Sequence, residues 1–333
     1  MAGTRGDFVR PKLFDVQVSR IRQLTGRVRE LLLTACDGQS LPQWTSGAHI
    51  ALHLNLPERG LLVRHYSLVS SVEAHDDPPH TYRIAVQLEP HGVGSNFVHQ
   101  VLNLGACLKI GPPVNSFALD RQATHVLLLA GGIGVTPLIS MAHSLIRRKK
   151  SFQMVYSGQS LAQMAYSQSL KERCGDRLQL HISEEAGRLD IPTLLGGQNN
   201  MTKVYACGPE GFIHAAHQAA LGLGWAHGRL RSEAFVSAVQ AGDKSFTAVL
   251  HKSGREVLVH ADESLLDALN RACAPVYWDC RKGECGLCVT KVLSSDGALI
   301  HRDRYLVESD KAQGHSMCLC VSRTHGTRLV LDL

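Results

Sequence analysis

The segment CRKGECGLC places Cys280, Cys285 and Cys288 at the spacing C-x4-C-x2-C. This is the spacing of three of the four thiolates that hold a plant-type [2Fe-2S] cluster, whose last ligand lies far along the chain. Thiolates suit iron because they are soft and anionic, and the loop must wrap closely enough for its amides to point at sulfur. Gly283 and Gly286 make such wrapping sterically possible. Cys318 and Cys320 both lie where the distant ligand should be, with 29 and 31 residues separating them from Cys288. A structural zinc site is the competing reading of clustered thiols, although the x4 gap is unlike the usual zinc pairs. Arg281 and Lys282 are expected either to balance thiolate charge or to sit in solvent, and Cys273 to be a small core residue near a helix end.

Four further segments carry candidate chemistry. In LLLAGGIGVTP, Gly131, Gly132 and Gly134 follow a buried strand, and Thr136 and Pro137 stand where a helix begins. Backbone amides and a helix dipole there suit a pyrophosphate, the alternative being a plain tight turn. A second apolar strand ends in Cys207, Gly208 and Pro209, which taken alone is a strand meeting a turn with a buried thiol. RHYSL (Arg64, His65, Tyr66, Ser67, Leu68) offers a forked donor for a phosphate, an aromatic face with a hydroxyl, and a small donor, yet alone it is an ordinary strand. HGVGSNFVH supplies Gly92, Gly94 and Ser95 ahead of a helix, a second place for phosphate contacts. The 18 histidines form no H-E-x-x-H or similar ligand spacing, so surface or core roles are expected for nearly all.

Elements must position these residues. At roughly 100 to 200 residues per domain, a chain of 333 residues holds two or three domains. Apolar residues at 44% and charged ones at 19% exclude wholesale disorder, and no apolar stretch reaches a bilayer span. A net charge of +6 is too small to argue for nucleic acid. The opening MAGTRGDFVRPKLF lacks the apolar core of a signal peptide, so the cysteines are expected to be reduced and the protein cytoplasmic. Short alternating runs from Phe14 to Phe117 predict a compact β-barrel domain over residues 1–119. Residues 120–235 alternate strand, turn and helix, with a helix expected over Leu138 to Lys149, which predicts an α/β domain on a parallel sheet. A connector over 236–244 leads to a third domain, 245–333, with strand-like FTAVLH, EVLVH and TRLVLDL and helix-like SLLDALNRA.

The thiol loop, together with Cys320-Val321-Ser322-Arg323 ahead of the closing Leu329 to Leu333, resembles the ferredoxin domain of the phthalate dioxygenase reductase and vanillate O-demethylase reductase family. RHYSL, HGVGSNFVH, YACGPEGF (Tyr205 to Phe212) and RSEAF (Arg231 to Phe235) resemble further motifs of that family, in the same order. The resemblance spans nearly the whole chain. It implies a flavin-binding barrel, an NAD-binding α/β domain and an α+β β-grasp ferredoxin domain. It implies Cys320 rather than Cys318 as the distant ligand; FMN, with FAD the lesser possibility, held by Arg64 to Leu68, Gly92, Gly94 and Ser95; and NADH against Gly131 to Pro137 and Cys207 to Pro209. Ser67 and Cys207 would then flank the reacting atoms, Phe235 would lie near flavin and nicotinamide, and Glu233 would polarise or shape the site. Gln87 departs from the pattern, since several relatives carry a basic residue there. A hydride carries two electrons and a cluster accepts one, so the flavin converts between them. Transfer from a cluster near about −400 mV to a Rieske centre at about −150 to +300 mV is downhill. The implied function is the monomeric reductase component of a two-component Rieske-type aromatic oxygenase. The same machinery would serve another electron carrier or a haem protein, and a zinc-stabilised nucleotide sensor without turnover is the alternative of a different class.

Overall fold

The computed structural model describes residues 12–57, 60–69, 80–90, 92–226, 228–235, 239–240, 242–278, 281–283 and 285–333. Its first unit is built from β1 (Phe14–Thr25), β2 (Val28–Ala35), β3 (His49–Leu56), β4 (Gly60–Ser67), β5 (Thr81–Gln87), the short helix α1 (Val93–Asn96) and β6 (Cys107–Ile110). Period-two alternation makes these strands: Ile50, Leu52 and Leu54 of β3 are fully buried while the intervening Ala51 and His53 are only partly so. All pairings are antiparallel, in the order β4-β3-β6-β1-β2-β5. Beyond the end of β4, Val69 N donates to Arg83 O of β5 at 2.9 Å, which draws the two edge strands together as the predicted barrel requires.

The second unit runs β7 (His125–Gly131), α2 (Val135–Arg147), β8 (Ser151–Gly158), α3 (Ser167–Cys174), β9 (Leu178–Ile182), α4 (Ser183–Ala186), α5 (Ile191–Gly196), β10 (Thr202–Gly208), α6 (Glu210–Gly222) and β11 (Leu230–Ala234). The strands are parallel in the order β11-β10-β7-β8-β9. Val126 to Ala130 have no exposed surface at all, as expected where helices cover both faces of a parallel sheet. Helix α2 starts three residues before its expected position and stops at Arg147, because Lys149 is left-handed at φ 53°. The chain winds from β7 to β9 in one direction and then crosses back to β10 on the other side of β7, leaving a topological switch point between β7 and β10.

The third unit comprises β12 (Phe246–Leu250), β13 (Arg255–Val259), α7 (Leu265–Arg271), β14 (Val289–Ser295), β15 (Leu299–Ile300), α8 (Glu308–Gln313), β16 (Ser316–Cys318), β17 (Arg323–Thr324) and β18 (Arg328–Leu331). Its main sheet, β13-β12-β18-β14-β16, pairs β12 with β18 in parallel and is otherwise antiparallel. Ser264 caps α7 by accepting from Asp267 N at 3.0 Å, and Leu265, Leu266, Ala268 and Leu269 are buried in the core of this unit. The connector is tied to the tail rather than loose, since Arg302 donates to both Asp243 oxygens at 2.8 and 2.5 Å. Arg323, fully buried, donates to Glu263 O, Lys244 O and His260 O. Cys273 departs from its expected core role: it is exposed at φ 52°, just past the helix end.

An ionic cluster joins the first two units. Glu30, buried to 2% exposure in β2, accepts from Arg83 at 2.9 Å, pairs with Arg22 at 3.1 Å, and accepts from the Tyr166 hydroxyl of the second unit at 2.7 Å. Breaking a buried ion pair from one side costs about 3–5 kcal/mol, because the remaining charge is left in a poor solvent. Glu30→Ala, which strands Arg83, should therefore lower stability by about that amount, read as a lower midpoint in urea titration with tryptophan fluorescence.

Candidate functional site

The carboxyl ends of β7, β10 and β11 line up. Cys207 is in register with Ala130 on one side and Glu233 on the other, so the two glycine-bearing turns and the Glu233 end of β11 share one edge of the sheet. Gly134 sits so close to the next turn that a Cβ there would run into the backbone of Cys207 and Gly208, while a Cβ on Gly131 would meet Pro209 Cδ at 3.1 Å. Only glycine allows the β7 turn to lie against the Cys207-Gly208-Pro209 turn. Gly132, at φ 55°, faces open space. The first turn of α2 has no side-chain cap, leaving its amides and positive dipole end at this crevice. Thr136 spends its hydroxyl locally, donating to Ile133 O at 3.0 Å, and Pro137 lies in the first helical turn. Cys207 is fully buried, and Phe235 is half-buried against the core between the first and second units.

Arg64 to Ser67 form the end of β4, and Leu68 follows directly. Arg64 donates to Val63 O at 2.9 Å and to Asp267 Oδ2 of α7 at 3.1 Å. Gly94 packs beside it, since a Cβ there would meet Arg64 Cγ at 3.2 Å. Tyr66 is half-buried, with burial pushing its hydroxyl up to about 12, and Leu68 is fully buried. Ser67 is buried and its hydroxyl has no partner among the described residues. His65 stacks on His49 of β3 with ring centroids 4.9 Å apart. Ser95 caps its own turn, accepting from Glu89 N at 3.0 Å and donating to Gly92 O at 2.9 Å. Gln87 is turned to Glu89, donating at 2.7 Å.

Cys280 lies outside the described residues. Among the described residues no three His, Cys, Asp or Glu side chains form a ready-made ion site, but the remaining thiols are drawn together. Cys288 and Cys320 are buried with their sulfurs 3.3 Å apart, near the ~3.8 Å edge of a tetrahedron of thiolates about 2.3 Å from a metal. Cys320 is held inside a tight turn in which Val321 N and Ser322 N both donate to Cys318 O. Cys318, also buried, is opposite Val289 in the β14–β16 pairing, beside Cys288. The hydrogen bond shared by the packed Cys288 and Cys318 thiols pushes Cys288 below the ordinary thiol range and Cys318 above it. Cys285 is partly exposed. Gly286 is left-handed at φ 77°, and a Cβ there would enter the Tyr305 ring. The loop therefore folds over residues 303–306, with Arg304 N donating to Gly283 O at 2.9 Å.

Arg281 and Lys282 are not solvated. Both side chains are at most 9% exposed, and they reach in different directions. Arg281 pairs with Asp267, the carboxylate that also holds Arg64, and its guanidinium lies 4.6 Å from the Trp278 ring centroid. Lys282 donates to Glu233 Oε1 at the end of β11 and lies 5.8 Å from the Phe235 ring centroid. The thiol loop thus touches the RSEAF strand directly through Lys282 and is linked to the RHYSL strand through Asp267, which Arg281 and Arg64 share. Asp267 and His49 were not legible as site residues: nothing in the sequence near either one signals a partner about 200 residues away. The Arg-Lys pair in the loop was the one available clue.

Two domain models match this chain: the 2Fe-2S iron-sulfur cluster binding domain over residues 249–325, and the dimethylamine monooxygenase subunit DmmA-like N-terminal domain over residues 107–230. The carnitine monooxygenase reductase subunit of Escherichia coli (strain K12) is 37% identical over 325 residues, covering 97% of this chain and 99% of that protein. The chain belongs to the phthalate dioxygenase reductase family. The structure of phthalate dioxygenase reductase, a modular structure for electron transfer from pyridine nucleotides to [2Fe-2S], superposes with a TM-score of 0.83 at 27% identity, covering 96% of this chain and 98% of that one. The heme-dependent oxidative N-demethylase beta subunit of Ectopseudomonas mendocina (strain ymp) is 38% identical over 324 residues, covering 96% of this chain and 99% of its own length. The family fold accords with the barrel, parallel sheet and ferredoxin unit described above.

His49 carries a testable consequence of this geometry. Burial first, and the Lys282 ammonium second, push its imidazole down to about 3. The unfolded chain binds a proton there below about pH 6.5 while the folded chain does not, so stability falls as pH drops from 7. The loss from this group should approach about 2 kcal/mol at pH 5. Chemical denaturation at pH 7 and pH 5 should show His49→Gln with a smaller pH-dependent loss than the wild type.

Proposed function

We propose that this protein carries electrons from NADH, through FMN and its own [2Fe-2S] cluster, to a separate oxygenase component. The observation that supports this most directly is the thiol loop's reach: Lys282 pairs with Glu233 of the strand expected to flank nicotinamide, and Arg281 shares the Asp267 carboxylate with Arg64 of the strand expected to hold flavin. When bound, the flavin accepts the hydride pair from NADH and releases its electrons singly to the cluster. This chain's residues bind and orient. Arg64 offers a forked donor to the FMN phosphate, and Tyr66 and Leu68 form the strand wall beside it. The unpartnered hydroxyl of buried Ser67 and the unpartnered Oε2 of buried Glu233 are polar atoms that a bound ring system would satisfy. The uncapped start of α2 and the close-packed Gly131 to Pro137 and Cys207 to Pro209 turns suit the NADH pyrophosphate and nicotinamide. Gly92, Gly94 and Ser95 would contribute backbone near Arg64, His65 stacks on His49 of the neighbouring strand, and Phe235 would lie against the ring. Cys280, Cys285, Cys288 and Cys320 would hold the cluster.

On this reading the boundaries fall at 119/120 and 235/236, with 236–244 the linker, and the protein works as a cytoplasmic monomer. Among the described residues no helix is long and apolar enough to cross a membrane. Exposed Leu287, Tyr305 and Val307, at or beside the thiol loop, are the face offered to the oxygenase. A Rieske-type aromatic oxygenase is the preferred partner. The relative that is the beta subunit of a heme-dependent demethylase supports a haem-protein acceptor as the second reading.

Rapid mixing with NADH should bleach the flavin before the cluster is reduced, and a cluster that stays oxidised beside reduced flavin would contradict the route. Cys320→Ser should abolish the electron paramagnetic signal of the dithionite-reduced cluster while Cys318→Ser spares it. A colourless zinc-containing preparation would favour the sensor alternative. Turnover with a Rieske oxygenase but not with a haem oxygenase, each supplied with its substrate, would separate the two acceptor readings.

A further inference from the structure

We propose that Lys282 is a positioning residue for electron transfer from flavin to cluster, a role that deepens the reductase reading and rests on it. Lys282 belongs to the third unit and stands two residues after Cys280, yet its ammonium is buried in the second unit, paired with Glu233 Oε1 and 5.8 Å from the Phe235 ring centroid. It also lies close enough to His49 of the first unit to depress that imidazole. One side chain of the thiol loop is therefore lodged where the three units meet.

Two physical consequences follow. Transfer between carriers weakens steeply as the gap between them widens, and the clasp on Glu233 fixes the loop at the end of β11. Glu233 is 2% exposed, and without a cation beside it a buried carboxylate would sit uncompensated at the wall of the flavin site, where it would oppose the arrival of electrons. Lys282 meets one oxygen of Glu233, and among the described residues the other, Oε2, is buried without a partner. The transfer that this arrangement supports moves a single electron and makes or breaks no bond.

The test uses the full-length holoprotein and the variants Lys282→Gln and Lys282→Arg. In wild type, stopped-flow mixing with NADH should give a flavin phase followed by a cluster phase; absence of either in wild type would overturn the reductase reading itself. In Lys282→Gln the flavin phase should be retained while the cluster phase slows by about tenfold or more. The flavin midpoint potential should fall, and iron content and cluster g-values should match wild type. Lys282→Arg should recover most of the rate. A wild-type cluster phase and unchanged flavin potential in cluster-loaded Lys282→Gln would overturn the assignment. Should Lys282→Gln lack its cluster, Lys282→Arg decides: a cluster phase near wild type supports the role, and a slow one in a protein of normal iron content overturns it.

Discussion

A charge removed from water must be met by an opposite charge, and each junction between the three units of this protein is built around a buried carboxylate that obeys this constraint, with the cation supplied across the junction at Glu233 and Asp267 and from within the first unit at Glu30. Glu30 joins the first unit to Tyr166 of the second in the company of Arg83 and Arg22. Glu233 joins the second unit to Lys282 of the third, and Asp267 joins the third to Arg64 of the first. Each contact places a carboxylate at 8% exposure or less against a cation. Such pairs give little net stability compared with well-packed apolar groups, but breaking one from a single side is costly. They therefore select one relative arrangement of the units, which matters in a protein whose carriers must sit at fixed separations.

The parallel sheet sets the geography around which these contacts are arranged. Its switch point leaves two turns side by side, and glycine at 131, 134 and 208 lets their backbones touch. Glu233 and Phe235 follow from β11 at the same edge, so that edge carries both the expected nucleotide contacts and the carboxylate that receives Lys282. The thiol loop is stiffened from the opposite side by residues 303–306 and by the turn around Cys320. Its cations point inward, while Leu287 remains exposed between Cys285 and Cys288. One side of the loop is thus committed within the chain and the other is exposed.

The family combines a shared reductase with different oxygenases, and the distribution of constraint in this chain fits that division of labour. The buried ion pairs and close-packed turns admit few substitutions. Near the thiols, Leu287 and Val307 are more than half exposed, and Tyr305 presents half of its surface to solvent while its ring packs under Gly286.

The local chemistry was legible in the sequence because it depends on short-range spacing. The C-x4-C-x2-C loop, the glycines after an apolar strand and the order of three units are all written within segments of about ten residues or in their succession along the chain. Helix ends were less legible, since a left-handed residue such as Lys149 ends α2 without any glycine or proline to announce it. Arg281 and Lys282 read equally well as solvated cations, because burial of a charge is decided by what the rest of the chain brings to it. Arg64 and Asp267 are 203 residues apart, and no local pattern links them. The sequence by itself determined which groups could bind iron, flavin and nucleotide; tertiary structure alone decided that Lys282 meets Glu233 and Arg64 meets Asp267, because pairing across units depends on how separately folded sheets pack and not on neighbours along the backbone.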